Sequence, residues 1–203
     1  MSSFPRFTYF PEPTESFRET SEECSCCGQV RGWEYKRNVY CMGEKPKHVC
    51  PWCIADGSLS EKYADERGRK ALLIDTVYEI VRDTDGVITG VQPDFLPGCT
   101  VPADLQAEVT YLTPAFLTWQ DPQWLACCAV PAQYLGQPTG SELEERVGVQ
   151  GLVDVVECLT ATSNWDPSTV QEQLMSVGQG AQESLYLFSC KNCGRYLAYS
   201  DMA

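Results

Sequence analysis

Val and Ile crowd residues 71–92, with Asp83-Thr84-Asp85-Gly86 in the middle. Two β-prone runs around an Asp-Gly turn predict a hairpin. The stretch SLYLFSCKNCGRYLAY, residues 184–199, predicts two aromatic-rich strands joined by a turn at residues 190–194. Between them, Leu143, Val147, Leu152, Val155, Val156 and Leu159 form a helical stripe that Gly148 and Gly151 interrupt. Ser141 and Glu144 have the spacing of a capping box for that helix, as Ser58 and Glu61 have for a short helix over 59–66. Asp166-Pro167 reads as a further helix start, with Val170, Leu174 and Val177 on one face. Residues 105–136 mix five aromatics with Pro114, Pro122 and Pro131, which predicts short strands and turns around core aromatics rather than one long helix. The first dozen residues, with Phe7, Tyr9 and Phe10 before Pro11 and Pro13, read as an arm that packs its rings on the body. These patterns together predict an α+β protein of short helices and mixed strands.

The chain has 203 residues, 43% of them hydrophobic and 21% charged, which places it among globular proteins. The formal charge is -13, and its distribution is uneven. Residues 1–70 carry 11 basic and 11 acidic side chains, whereas residues 71–189 carry 2 basic and 16 acidic ones. Such a balance argues against nucleic acid and anionic membranes as partners and for either a solvated surface or a face built for a basic protein. Trp33, Tyr35, Lys36 and Arg37 make one small basic-aromatic strand, which reads as an ordinary strand face given the net charge. No run of 18 apolar residues and no signal peptide are present, so the expected location is cytoplasmic.

Twelve cysteines in a reducing compartment point to metal before disulfides. Cys24-x-x-Cys27-Gly28 and Cys50-x-x-Cys53 are two tight pairs, each able to aim two thiolates at one point. Together they predict a closed zinc site of the ribbon type. Redox chemistry is the rival, and no thioredoxin-like strand–helix pattern surrounds either pair. Cys26 is spare, and His48 inside the same loop reads as a surface side chain. Cys190-x-x-Cys193-Gly194 is a third pair, and the adjacent Cys127 and Cys128 are its best complement, provided that a bulge or turn lets neighbours converge. Two zinc ions per chain are expected. Cys99 and Cys158 read as isolated thiols. Asp83-Thr84-Asp85-Gly86 lacks the final glutamate of a calcium loop.

Cys24–Gly28 with its doubled cysteine, the string Val-Cys-Pro-Trp-Cys-Ile-Ala-Asp-Gly-Ser at 49–58, the opening Pro-Arg-Phe-Thr-Tyr-Phe-Pro-Glu-Pro, Thr113-Pro114, Trp119-Gln120, Trp124-Leu125 and the C-terminal Cys190–Gly194 motif resemble the CbrC family. That family commonly has His-Cys where this chain has Cys127-Cys128, with an Asp two residues on where this chain has Val130. A Cys in the place of His keeps a zinc-ligand type, and residues 71–100 look like an insertion. The resemblance implies a bacterial protein linked to colicin tolerance, similar to toxin immunity proteins, with no defined enzyme among its members.

The expected organisation is an N-terminal arm and zinc-ribbon-like module over 1–70 and an acidic α+β part over 71–203, within one compact unit. The expected function is non-catalytic protein binding, with a basic partner such as a nuclease-type toxin. The alternatives are a zinc-stabilised regulatory or structural protein and a zinc hydrolase. The last needs an open coordination position and a base, and one histidine in the chain supplies no such set.

Overall fold

The computed structural model describes residues 3–163, 165–178 and 183–202. The chain forms an α+β fold of two compact units that interleave in sequence. The first contains residues 1–75 and 103–117, and the second residues 76–102 and 118–203.

In the first unit, β1 (Phe17–Glu19) pairs antiparallel with β2 (Trp33–Tyr35). Short helices α1 (Pro51–Ala55) and α2 (Ser58–Lys62) follow, and the unit is completed by a helix over Ala103–Leu112. That helix corrects the expectation of strands and turns from residue 105. All three prolines of the stretch lie beyond its end, and ADLQAEVTYL holds nothing that breaks a helix. The predicted arm packs as expected, with Phe7, Tyr9 and Phe10 buried and Phe7 stacked on Phe17, 6.3 Å between centroids. The Tyr35 hydroxyl accepts from the Ala115 backbone N–H at 2.9 Å, and Ser16 donates to the Ala115 carbonyl at 2.7 Å. Ser58 opens α2 behind Gly57, so the predicted capping box does not form, and the helix ends at Lys62 rather than 66.

In the second unit, β3 (Thr76–Arg82) and β4 (Ile88–Pro93) form the predicted hairpin. Asp83 closes its turn by accepting from the N–H groups of Asp85 and Val87. With the Ala103–Leu112 helix taken as α3, the chain continues through β5 (Gln123–Cys127), β6 (Val130–Pro131), β7 (Gln133–Gly136), α4 (Gly140–Thr162), α5 (Val170–Ser176), β8 (Glu183–Ser189) and β9 (Tyr196–Met202). Strand β5 lies parallel to β3, giving a sheet of order β4-β3-β5-β6, and β7-β8-β9 form a second sheet. The alternation along β8 sets the core. Leu185 and Leu187 pack under the helices with Leu143, Val155, Leu159 and Leu174. Phe188, on the other face, meets Trp124 at 5.8 Å and Tyr134 at 5.2 Å.

The cap of helix α4 lies two residues before the predicted one. Thr139 caps it, accepting from the Glu142 N–H while Glu142 accepts in return from the Thr139 N–H at 2.9 Å. Both spacings fit the motif, and Gly140 accounts for the choice. A side chain there would meet the Leu174 carbonyl at 2.3 Å, so glycine must be the residue that enters the helix against α5. Gly148 kinks α4 at φ 67° as predicted, but Gly151 stays helical. It lets Tyr196 approach, since a Cβ would fall 2.6 Å from that ring. Asp166 does not cap α5; its carboxylate is used within a turn, accepting from the N–H and hydroxyl of Ser168, and the helix begins at Val170.

Candidate metal centres

Two groups of four cysteines come together, one in each unit, with the sulfurs of each group within 4.8 Å of one another. The first is Cys24, Cys27, Cys50 and Cys53, and the second is Cys127, Cys128, Cys190 and Cys193.

The first group is built from a loop and a helix start. Residues 24–28 form a tight knuckle in which Gly28 N–H donates to the Cys24 carbonyl at 2.7 Å and Cys24 N–H donates to the Gln29 carbonyl at 3.0 Å. Gly28 supports the turn at φ 69°. Cys50 precedes Pro51 at the first position of α1, and Cys53 lies one turn on. The Cys50 N–H points at the Cys24 sulfur, at 3.3 Å. Lys62 holds the knuckle from outside, donating to the carbonyls of Ser25 and Cys26. The second group repeats the design. Gly194 N–H donates to the Cys190 carbonyl, Cys190 N–H donates to the Arg195 carbonyl, both at 2.9 Å, and Gly194 has φ 73°. The same two bonds at the same offsets recur in a separate part of the chain.

Cys127 ends β5 and Cys128 begins the two-residue loop to β6, with φ of 57° at Cys128 and 59° at Ala129. Positive φ at both central positions is the hairpin turn that normally calls for Asn or Gly. Here it swings a neighbouring sulfur to the side of Cys127, 3.6 Å away. Successive residues on a straight strand point to opposite faces. The turn is therefore how two adjacent cysteines face one point.

The sulfur spacing fits a metal ion. A tetrahedron with metal–sulfur bonds of about 2.3 Å has edges of roughly 3.8 Å. The edges here are 3.9 Å for Cys24–Cys53 and Cys27–Cys50, 3.5 Å for Cys50–Cys53 and 3.9 Å for Cys127–Cys193. The electrostatics fit as well. A hydrogen bond from Cys50 holds the Cys24 thiol well below the ordinary thiol range, while that bond and burial push Cys50 up, and burial pushes Cys53 up. In the second group burial raises Cys127; it opposes ionisation of Cys193 too, but the Arg195 N–H and the neighbouring thiols outweigh it and lower that group. One thiolate is favoured among crowded sulfurs, and further ionisation needs a cation between them. The two groups differ in exposure: only Cys27 is exposed in the first, whereas Cys128 and Cys193 both are in the second.

The remaining cysteines stay outside the clusters. Cys26 lies 3.6 Å from the Ser58 hydroxyl, and Cys158 is buried with its thiol on the Ala198 carbonyl. His48 is not the plain surface residue that its sequence context suggests. Its Nδ1 contacts the buried Glu34 carboxylate, which Arg18 also pairs, so Glu34 stays ionised below its usual range despite burial. The strand with Trp33 and Tyr35 buries Tyr35 and carries that glutamate. The sequence gives no signal for the Glu34 pairing, because its partners come from 16 residues upstream and 14 downstream.

The family model described as an uncharacterised protein family, UPF0167, matches residues 4–202. UPF0167 protein Mb2317 of Mycobacterium bovis and UPF0167 protein MT2352 of Mycobacterium tuberculosis are each 30% identical over 207 residues, covering 98% of this chain and 94% of theirs. UPF0167 protein PA1536 of Pseudomonas aeruginosa is 30% identical over 194 residues, covering 94% and 93%. No solved structure matches. Among the described residues no helix is long and apolar enough to cross a membrane.

Proposed function

Because this chain belongs to the uncharacterised protein family UPF0167 and folds around two tetracysteine clusters, we propose that it is a non-catalytic protein holding two structural zinc ions and acting by binding another protein. The observation that carries the metal reading is the set of sulfur edges near those of a zinc tetrahedron, in both clusters. Four sulfur donors suit zinc or iron among common ions. Four protein ligands leave no position for water or substrate, which supports bracing over hydrolysis. Elemental analysis of protein purified without added metal gives about two zinc atoms per chain, by the four-ligand rule. Iron, or one metal per chain, refutes this stoichiometry.

The finer reading is a basic protein partner. The second unit carries 14 acidic and 4 basic side chains, and the first 14 and 11. Zinc deepens the imbalance, because each ion with four thiolates adds a net charge of about -2. An acidic surface steers a basic partner, and nuclease toxins are basic because they grip phosphates. The resemblance to the CbrC family supports toxin immunity or tolerance as the setting, in the cytoplasm. The test is association with a basic nuclease domain encoded beside this protein. Binding slows as salt rises, and Glu144→Lys with Glu145→Lys, both exposed on α4, slows it further. Glu142 is left intact because it caps the helix. An association rate indifferent to salt leaves the acidity as a solubility feature and the zinc reading untouched.

A further inference from the structure

The first unit also carries a cleft of about 1060 Å³, at the upper end of the sizes that hold small ligands. Its walls include Phe4, Trp33, Trp52 and Arg31. The rings stand across one another rather than closing into a stack. Phe4 meets Trp33 edge to face, 5.6 Å between centroids at 87°, and leans on Trp52 at 6.1 Å and 55°. Trp33 and Trp52 are only half-buried, so indole surface faces the opening. Trp52 sits between Cys50 and Cys53 on α1, and the metal knuckle fixes its place.

Arg31 is the basic member of the lining. Its guanidinium lies 5.2 Å over the Trp52 ring, and its Nε donates to Gln29 Oε1 at 2.9 Å. The cation–π contact on one side and this bond at the base hold the group at the cleft. Among the described residues it makes no ion pair and no other hydrogen bond. Its two terminal nitrogens, which carry four of the five donors, therefore present an open fork.

The combination selects a ligand. A cation is repelled by Arg31, although the rings alone would accept one. A neutral ring uses the indoles and leaves the fork unanswered. A simple anion uses the fork and leaves the indoles wet. A flat ring bearing one anionic group meets both, through aromatic contact and a bidentate charge-assisted pair. Glu19 also lines the cleft and is exposed, which disfavours a polyanion. We propose that this cleft binds a small aromatic monoanion, with Arg31 holding the anionic group and Trp33 and Trp52 holding the ring.

Calorimetric titration of the metal-loaded protein tests this with 2-naphthoate as the probe. Acetate, 2-naphthylmethanol and 2-naphthylmethylamine supply the anion alone, the ring alone and the ring with a cation. The naphthoate saturates the protein with a Kd below about 1 mM, and the other three bind at least about tenfold more weakly. Arg31→Ala weakens naphthoate binding by at least about tenfold with metal content and circular dichroism unchanged, and Arg31→Lys falls between, since lysine keeps the charge and loses the fork. Trp33→Leu weakens the naphthoate and leaves the weak binding of acetate as it was. The proposal is overturned by amine binding as tight as naphthoate binding. Undiminished affinity in a folded, metal-loaded Arg31→Ala or Arg31→Lys protein overturns it too, as does naphthoate that fails to saturate at about 10 mM.

Discussion

Replacing Ala129 by glycine should make the protein more stable, the reverse of the usual effect of glycine. Ala129 and Cys128 are consecutive non-glycine residues with positive φ, 59° and 57°, in the loop from β5 to β6. An L-residue in that region costs about 1–2 kcal/mol through the clash of Cβ with the following carbonyl. Glycine removes the clash and adds about 0.5–1 kcal/mol of unfolded-chain entropy to be lost on folding. The difference leaves a net gain of roughly 0.5–1 kcal/mol for Ala129→Gly, because the half-buried methyl contributes little packing. For a chain of this size that is a rise in Tm of about 1–4 °C. The neighbouring Cys128→Gly relieves the same strain but removes a sulfur from the second cluster. It should lower Tm and release one of the two metal ions, since the strain is retained only where function requires the residue. The assay is thermal unfolding of both variants at fixed free zinc, with metal content measured alongside. A lower Tm for Ala129→Gly, or a Cys128→Gly protein that keeps both metals, would show that the turn does not serve the site in this way.

Four further outcomes follow from the same structure. Cys50→Ser should lose the first metal and melt earlier, while Cys26→Ser, whose thiol faces Ser58, keeps two metals by elemental analysis. As pH falls, thiolates protonate and affinity drops, while an added chelator competes for the ion; either way metal should leave in two steps followed by dye competition, the half-exposed second cluster first, and simultaneous release would contradict the difference in burial. Gly151→Ala should destabilise by about 1–3 kcal/mol in denaturant titration, because its Cβ would meet both Tyr196 and Val147 within 2.7 Å. Thr139→Ala should cost about 1 kcal/mol through loss of the α4 cap, where Ser141→Ala costs little.

The cysteine positions were legible because spacing is a local property. Cys-x-x-Cys followed by glycine specifies a knuckle whatever surrounds it, and the two knuckles formed alike. The β3–β4 hairpin and the β8–β9 pair were legible for the same reason, through alternation and turn residues. Helix boundaries were not. Thr139 and Ser141 both satisfy the capping spacing, and only the contact of Gly140 with α5, some 35 residues away, decides between them. Helix α3 was hidden by prolines that lie past its end. The pairing of Cys127-Cys128 with the third knuckle could be guessed from the count of ligands, but the reason that neighbours converge is a backbone conformation absent from any composition rule. The aromatic cleft left no trace because Phe4, Arg31 and Trp52 come from three separate segments.

The interleaving of the two units constrains how the chain can be made. The ribosome delivers residues in order, at roughly 5–20 per second. All four ligands of the first cluster have emerged once Cys53 is out, yet its unit still lacks α3, which ends at Leu112. Residues 76–102, synthesised in between, include the β3–β4 hairpin, whose parallel neighbour β5 begins only at Gln123. Metal capture can therefore come before the core that will enclose it. For several seconds of synthesis the nascent chain is held by a cysteine knuckle able to take a metal ion and by a lone hairpin, which is marginal without its sheet. No single cut in the chain separates the two units, so fragment expression must keep 103–117 with the N-terminal part. On the two-metal reading, a cell short of that metal would lose this protein first as a newborn chain, ahead of any effect on molecules already folded.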